Sequence, residues 1–206
     1  MSGTVTVTSS AISWNSDVSP FTTNFYTESA STGGFASENG QNQIENLVFS
    51  SQPVGVQFAA TDFINFIVDP SVPSLNITYI APGMYTNAGC SLPVTVGDTC
   101  TPNVNGGVGF LSFVDTSTNQ STATWVFDGV EVGQPNTIWT ATFTSQFSVP
   151  YQTVLANIAS PTFSVTNSYT AAVSASPEPS ALIMVGIGLG LFTLWRAGAN
   201  RKRKTL

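Results

Sequence analysis

Between residues 5 and 165 the apolar positions of this chain recur in short runs, many of them with a period of two. Val5 and Val7 alternate with threonines. Comparable alternating or apolar runs follow at 44–49, 54–59, 63–68, 75–80, 108–114, 122–127, 137–147, 151–158 and 162–165. Each is rich in Val, Ile, Thr or aromatic residues and is bounded by Pro, Gly, Asn or Asp, which interrupt extended chain. No stretch before residue 180 shows a 3.6-residue apolar period with a helix cap. The pattern predicts an all-β domain, an antiparallel β-sandwich of jelly-roll type. The clearest strand is 137–147. It puts Trp139, Ala141, Phe143 and Ser145 on one face, the expected core side, and Ile138, Thr140, Thr142 and Thr144 on the other.

Residues 29–43, rich in Ser, Gly and Asn, and residues 82–105 read as loops. Residues 167–176 read as a last strand fading into a linker. The expected organisation is one β domain over 1–166, a linker over 167–176 and a separate tail over 177–206. A domain of that length is large enough to bury a core.

The pattern changes abruptly at the tail. Pro177-Glu178-Pro179 is followed by fifteen uncharged residues, Ala181 to Trp195, and then by Arg196, Arg201, Lys202, Arg203 and Lys204. As a helix the apolar run is about 22 Å long at 1.5 Å per residue. That falls short of a hydrocarbon core of about 30 Å, and continuing to Ala199 adds about 6 Å if Arg196 snorkels to the headgroups. Trp195 stands where an interfacial aromatic belongs, and the cations beyond it follow the positive-inside rule. The expectation is a single C-terminal transmembrane helix with its basic end in the cytoplasm. A buried core helix is the competing reading, and four consecutive cations after the run argue against it. Gly186 and Gly190 form a small-xxx-small pair suited to helix contact; glycine is also simply common in membrane spans.

This order of Pro-Glu-Pro, short apolar span and basic terminus resembles the PEP-CTERM sorting signal of Gram-negative bacteria. The resemblance rests on Pro177, Glu178 and Pro179, on the span 181–195 and on the basic cluster 201–204, and it covers only residues 177–206. The basic residues here are split by Ala197-Gly198-Ala199-Asn200, where many tails of the family run straight into arginines. What the resemblance implies is an exported protein, held in the inner membrane by its C-terminal helix and then processed by an exosortase, a membrane transpeptidase-like enzyme. It also implies delivery to the cell surface or to an extracellular matrix, with exopolysaccharide as a further partner. Two prolines lock φ and remove two donors, which keeps such a motif extended.

Composition sharpens the compartment. Residues 1–176 hold ten of the eleven acidic residues and none of the five Lys and Arg. Phosphate binding needs cations, so nucleic acid is excluded as a partner of this domain. Cys90 and Cys100 are the only cysteines. An oxidising compartment predicts one disulfide between them, worth about 2.5–3 kcal/mol by chain entropy. Against export stands the N-terminus, Met1-Ser2-Gly3-Thr4-Val5, which has neither a basic nor an apolar leader region. The expectation is that the true start, with its signal peptide, lies upstream.

The chain has no histidine, which removes Ser-His-Asp and Cys-His catalysis. Without lysine before the tail, Ser-Lys and Schiff-base chemistry go too. Paired carboxylates remain, with Asp62, Asp69, Asp128 and Glu131 as candidates for a hydrolase. The competing reading is that they are solvated turn residues. Loop oxygens suggest calcium, yet no Asp-x-Asp-x-Asp spacing occurs, so no metal and no cofactor is expected. Trp14, Trp125 and Trp139 are either a sugar-stacking platform or core. Asn76-Ile77-Thr78 and Asn119-Gln120-Ser121 match the glycosylation sequon. The leading expectation is a non-enzymatic exported surface or matrix protein. A carbohydrate-binding module and a carboxylate hydrolase are the alternatives.

Overall fold

In the computed structural model, which describes residues 1–8, 10–15, 24–27, 40–67, 69, 71–103, 107–158 and 165–175, the longest pairing joins β10 (Gln120–Glu131) to β11 (Gln134–Phe147). Its origin is visible in the sequence. Ser121, Ala123, Trp125 and Phe127 alternate as buried residues with part-exposed Thr122, Thr124, Val126 and Asp128, the period a half-buried strand requires. Gly133, at φ 79°, closes the hairpin in a conformation that costs glycine little.

Around this hairpin lie β1 (Ser2–Val7), β2 (Ala11–Asn15), β3 (Asn24–Thr27), β4 (Gly40–Ile44), β5 (Leu47–Val48), β6 (Thr61–Asn65), β7 (Leu75–Ile80), β8 (Thr99–Cys100), β9 (Ser112–Ser117) and β12 (Val165–Ala175). All belong to one sheet whose ladders are antiparallel. Its pairings run β11, β12, β1, β3, β4, β6, β7, β10 and return to β11. The circuit is thinnest at β1–β3, where among the described residues Ser2 opposes Tyr26 and no second pair follows. The all-β expectation is met, and the two layers expected of a sandwich come from one sheet curled over its own inner face.

That inner face is aromatic. Phe143 has ring centroids of Trp14 at 5.0 Å, Phe127 at 5.2 Å, Tyr169 at 5.6 Å and Trp125 at 5.7 Å around it. Phe63 on β6 reaches across the interior to Phe143 at 6.4 Å and stacks with Trp139 at 6.0 Å. Such pairs add about 0.5–1.5 kcal/mol each beyond area burial. The faces expected for 137–147 are the observed ones: Trp139, Ala141, Phe143 and Ser145 are buried, and Ile138 is exposed.

Four expectations need correction. Residues 151–158 form a helix, α1 (Tyr151–Ile158), and not a strand. Its buried Tyr151 and Val154 and half-buried Leu155 and Ile158 fall at i, i+3, i+4 and i+7, one helical face. Residues 54–59 are not a strand either: Val54 makes an isolated parallel bridge to Ile80, and Gly55, at φ 77°, turns the chain out of extension. Residues 40–43, expected in a loop, belong to β4. Finally, 167–175 is not linker but part of β12, paired with β1 on one side and β11 on the other.

The transmembrane helix expected over 181–195 lies outside the described residues. Among those described, no helix is long and apolar enough to cross a membrane.

Candidate functional site

At one end of the sheet, helix α1, strands β8 and β9 and the 3₁₀ helix Asn87–Ser91 close round the Cys90–Cys100 disulfide. The two Cα atoms are 4.9 Å apart, within the range a disulfide spans. The expected bridge is therefore present. Cys100 is fully buried beside core residues, and Thr99 and Cys100 pair with Val114 and Phe113 of β9.

Asp115 is the fully buried carboxylate of this region. It lies two residues beyond Phe113 on β9, hence on the same inward face. Its Oδ1 accepts the Tyr151 backbone N–H at 3.0 Å, which supplies a cap to one of the free donors at the start of α1. Oδ2 has no hydrogen-bond partner. The Tyr151 hydroxyl donates to the Gly89 carbonyl at 2.9 Å, next to Cys90. Burial, and then the negative charges of Asp115 and Asp98, push the Tyr151 phenol above its ordinary pKa. Disulfide loop, helix and inner strand are thus coupled through two hydrogen bonds. Sequence reasoning passed over Asp115, although its parity with Phe113 was the available signal.

The acids singled out from the sequence are elsewhere, and two of them hold local hydrogen bonds. The Asp128 carboxylate accepts the Thr140 hydroxyl at 2.7 Å across the β10–β11 ladder. Asp69 accepts the Ser71 amide at 3.0 Å and the Ser71 hydroxyl at 2.6 Å in a turn. Asp62 is exposed on β6, and Glu131 sits at the end of β10, where the ladder has a bulge. Among the described residues no three acids or cysteines gather as a metal site.

Three cavities lined by described residues are small or shallow. One internal space beneath Ile158 is lined by Val5, Leu111, Trp125, Ser145 and Asn167 and encloses about 10 Å³, the room of one water. Two shallow grooves run over the outer face, one along Ser2, Thr144, Gln146, Ser168 and Thr170, the other along Thr116, Gln120, Thr122 and Gln146. None of the three is lined by an acid.

Trp14, Trp125 and Trp139 are all core, at 1%, 2% and 0% exposure. They make no sugar-stacking platform. The first sequon lies in β7, where the Asn76 side-chain oxygen is buried; Asn119 of the second is exposed in the β9–β10 turn, and the Ser121 hydroxyl donates to the Val149 carbonyl at 2.9 Å. The sorting residues Pro177, Glu178 and Pro179 and the cations Arg196, Arg201, Lys202, Arg203 and Lys204 lie outside the described residues.

Compared with protein-family models, with curated proteins and with solved structures, the chain matches none.

Proposed function

We propose that this chain is an exported envelope protein whose antiparallel β domain is carried and sorted by its C-terminal tail. In this reading Pro177-Glu178-Pro179 is the recognition motif of an exosortase-type membrane transpeptidase. Residues 181–195 are the temporary span, and Arg196 with 201–204 is the cytoplasmic stop. The observation that carries it is the order of the tail against the charge of the domain. Every Lys and Arg falls in the last eleven residues, directly after an apolar run, and the preceding 176 residues have none. The positive-inside rule then orients the chain with its domain outside.

A further observation supports export. The Cys90–Cys100 disulfide suits an oxidising compartment. Of the four acids named for a hydrolase, Asp128 and Asp69 are engaged in a ladder and a turn, which favours a structural or surface role. The buried tryptophans weigh against a carbohydrate-binding module built on aromatic stacking.

The test is mass spectrometry of the mature protein from its own host, with and without the exosortase gene. The expected result is a chain ending near Pro177–Pro179 in the presence of the enzyme and an intact tail in its absence. An intact tail in both strains would overturn the sorting reading and leave a permanent anchor.

A further inference from the structure

Gly129, Trp139 and Ala175 stand in one row across three strands, since Gly129 opposes Trp139 and Trp139 opposes Ala175. Ala175 is the last residue of β12, and β12 runs towards the β10–β11 turn. On that side β10 continues through Val130 and Glu131 to the turn residue Val132. Three residues at 3.3–3.4 Å carry the turn about 10 Å past the row. The Val132 amide is tied to the Ser74 carbonyl at 2.9 Å, so the turn is braced by the segment leading into β7. Ile67, just beyond the end of β6, lies at the same end, because Ile64 opposes Leu75 and Leu75 opposes Glu131. Val132 and Ile67 are each 44% exposed.

Only six residue steps separate Ala175 from Ala181, where the apolar run begins. Fully extended, six steps reach about 20 Å. The headgroup layer takes about 6 Å of that, half the difference between the full bilayer and its hydrocarbon core. The remaining 14 Å or so must accommodate a turn that projects about 10 Å in the same direction.

We propose that, while the tail spans the bilayer, this end of the β domain rests on the membrane, with Val132 and Ile67 against the lipid headgroups. The disulfide end points away from it. The inference rests on the proposed span 181–195 and goes beyond it by assigning a membrane-facing surface to the folded domain. The occupant is a neutral or zwitterionic lipid surface, because Glu131 and Asp69 lie at this end and no Lys or Arg precedes Arg196. Contact follows from the short tether, which holds the surface at high effective concentration, and not from charge attraction.

The opposite end supplies the control. The Gly97 amide donates to the Asp115 carbonyl, and Asp115 opposes Ser121, so exposed Val96 sits near the far end of β10. Eleven residue steps along β10 and into its turn separate Ser121 from Val132, about 35 Å. The experiment uses the full chain in vesicles of phosphatidylethanolamine and phosphatidylcholine. A fluorophore is attached to Val132→Cys or to Val96→Cys with the native disulfide intact, and the lipids carry a headgroup quencher. Quenching several-fold stronger at position 132 than at 96 is expected, and equal quenching in a chain that resists carbonate extraction would overturn the inference while leaving the span standing. A chain that carbonate strips from the vesicles would sink the span and the inference together. Should either variant misfold, hydroxyl-radical footprinting of the unaltered full chain reads the same contact. Val132 and Ile67 are protected in vesicles and exposed Met84 is not; equal labelling at all three overturns it.

Discussion

Gly129 faces Trp139 across the β10–β11 ladder, and the indole occupies the space a side chain at 129 would need. A Cβ on Gly129 would stand 2.6 Å from two atoms of that ring and run into the Asn76 carbonyl oxygen. The same carbonyl accepts the Trp139 Nε1–H at 3.0 Å, and Val130 accepts it at 3.2 Å. The register shift of β10 against β7 next to Gly129 opens the site for the indole. A core tryptophan, its polar tip and a strand irregularity therefore depend on one missing side chain.

Gly129→Ala is expected to destabilise the domain by about 1–3 kcal/mol, the usual range for an overpacked site, or more because backbone must move. Urea unfolding followed by tryptophan emission measures it. An unchanged midpoint would mean that β7 and β10 separate at little cost.

Asp115→Ala removes the acceptor for the Tyr151 amide in a site closed to water. The expected loss is about 1–3 kcal/mol, with faster amide exchange concentrated in α1. Asp115→Asn keeps an oxygen acceptor and is expected to lose less. Equal losses in the two variants would count against the capping role.

Alkaline stability follows from Tyr151. Its phenol is raised above the ordinary value near 10 by burial first and by Asp115 and Asp98 next. Below about pH 10 both folded and unfolded states hold the proton, and the contribution is fully present. Above it the unfolded chain releases the proton first, so stability falls with rising pH up to the folded pKa. Tyr151→Phe is expected to flatten that part of the profile and to cost about 0.5–1.5 kcal/mol at neutral pH through loss of the bond to Gly89. Urea midpoints on either side of pH 10 test both; parallel profiles for the two proteins would refute the assignment.

Reduction of Cys90–Cys100, or the double change to alanine, is expected to cost about 2.5–3 kcal/mol. Because Tyr151 is bonded to Gly89 beside Cys90, exchange should quicken in α1 as well as in the disulfide loop. Hydrogen exchange with and without reductant checks this. A response confined to the loop would show that the helix is held without it.

What could be read from the sequence were features that act locally. Period-two alternation in 137–147 placed Trp139, Ala141 and Phe143 inside because a strand beside a core has one dry face. The only two cysteines, with no histidine to join them in a metal site, pointed to one bridge. The tail reading rests on the same kind of local pattern, an apolar run followed by cations, and stands as the proposal above. Helix α1 was not: Tyr, Thr, Val and Ile read as strand formers, and its cap comes from Asp115, 36 residues away. Nor was the fate of 54–59, where a positive φ at Gly55 overrides the alternation. The pairing of β1 with β12 joins the two ends of the domain, and no local pattern specifies it. The single sheet, the burial of all three tryptophans and the braced β10–β11 turn were decided by tertiary structure, because each depends on which distant strands close round a shared aromatic core.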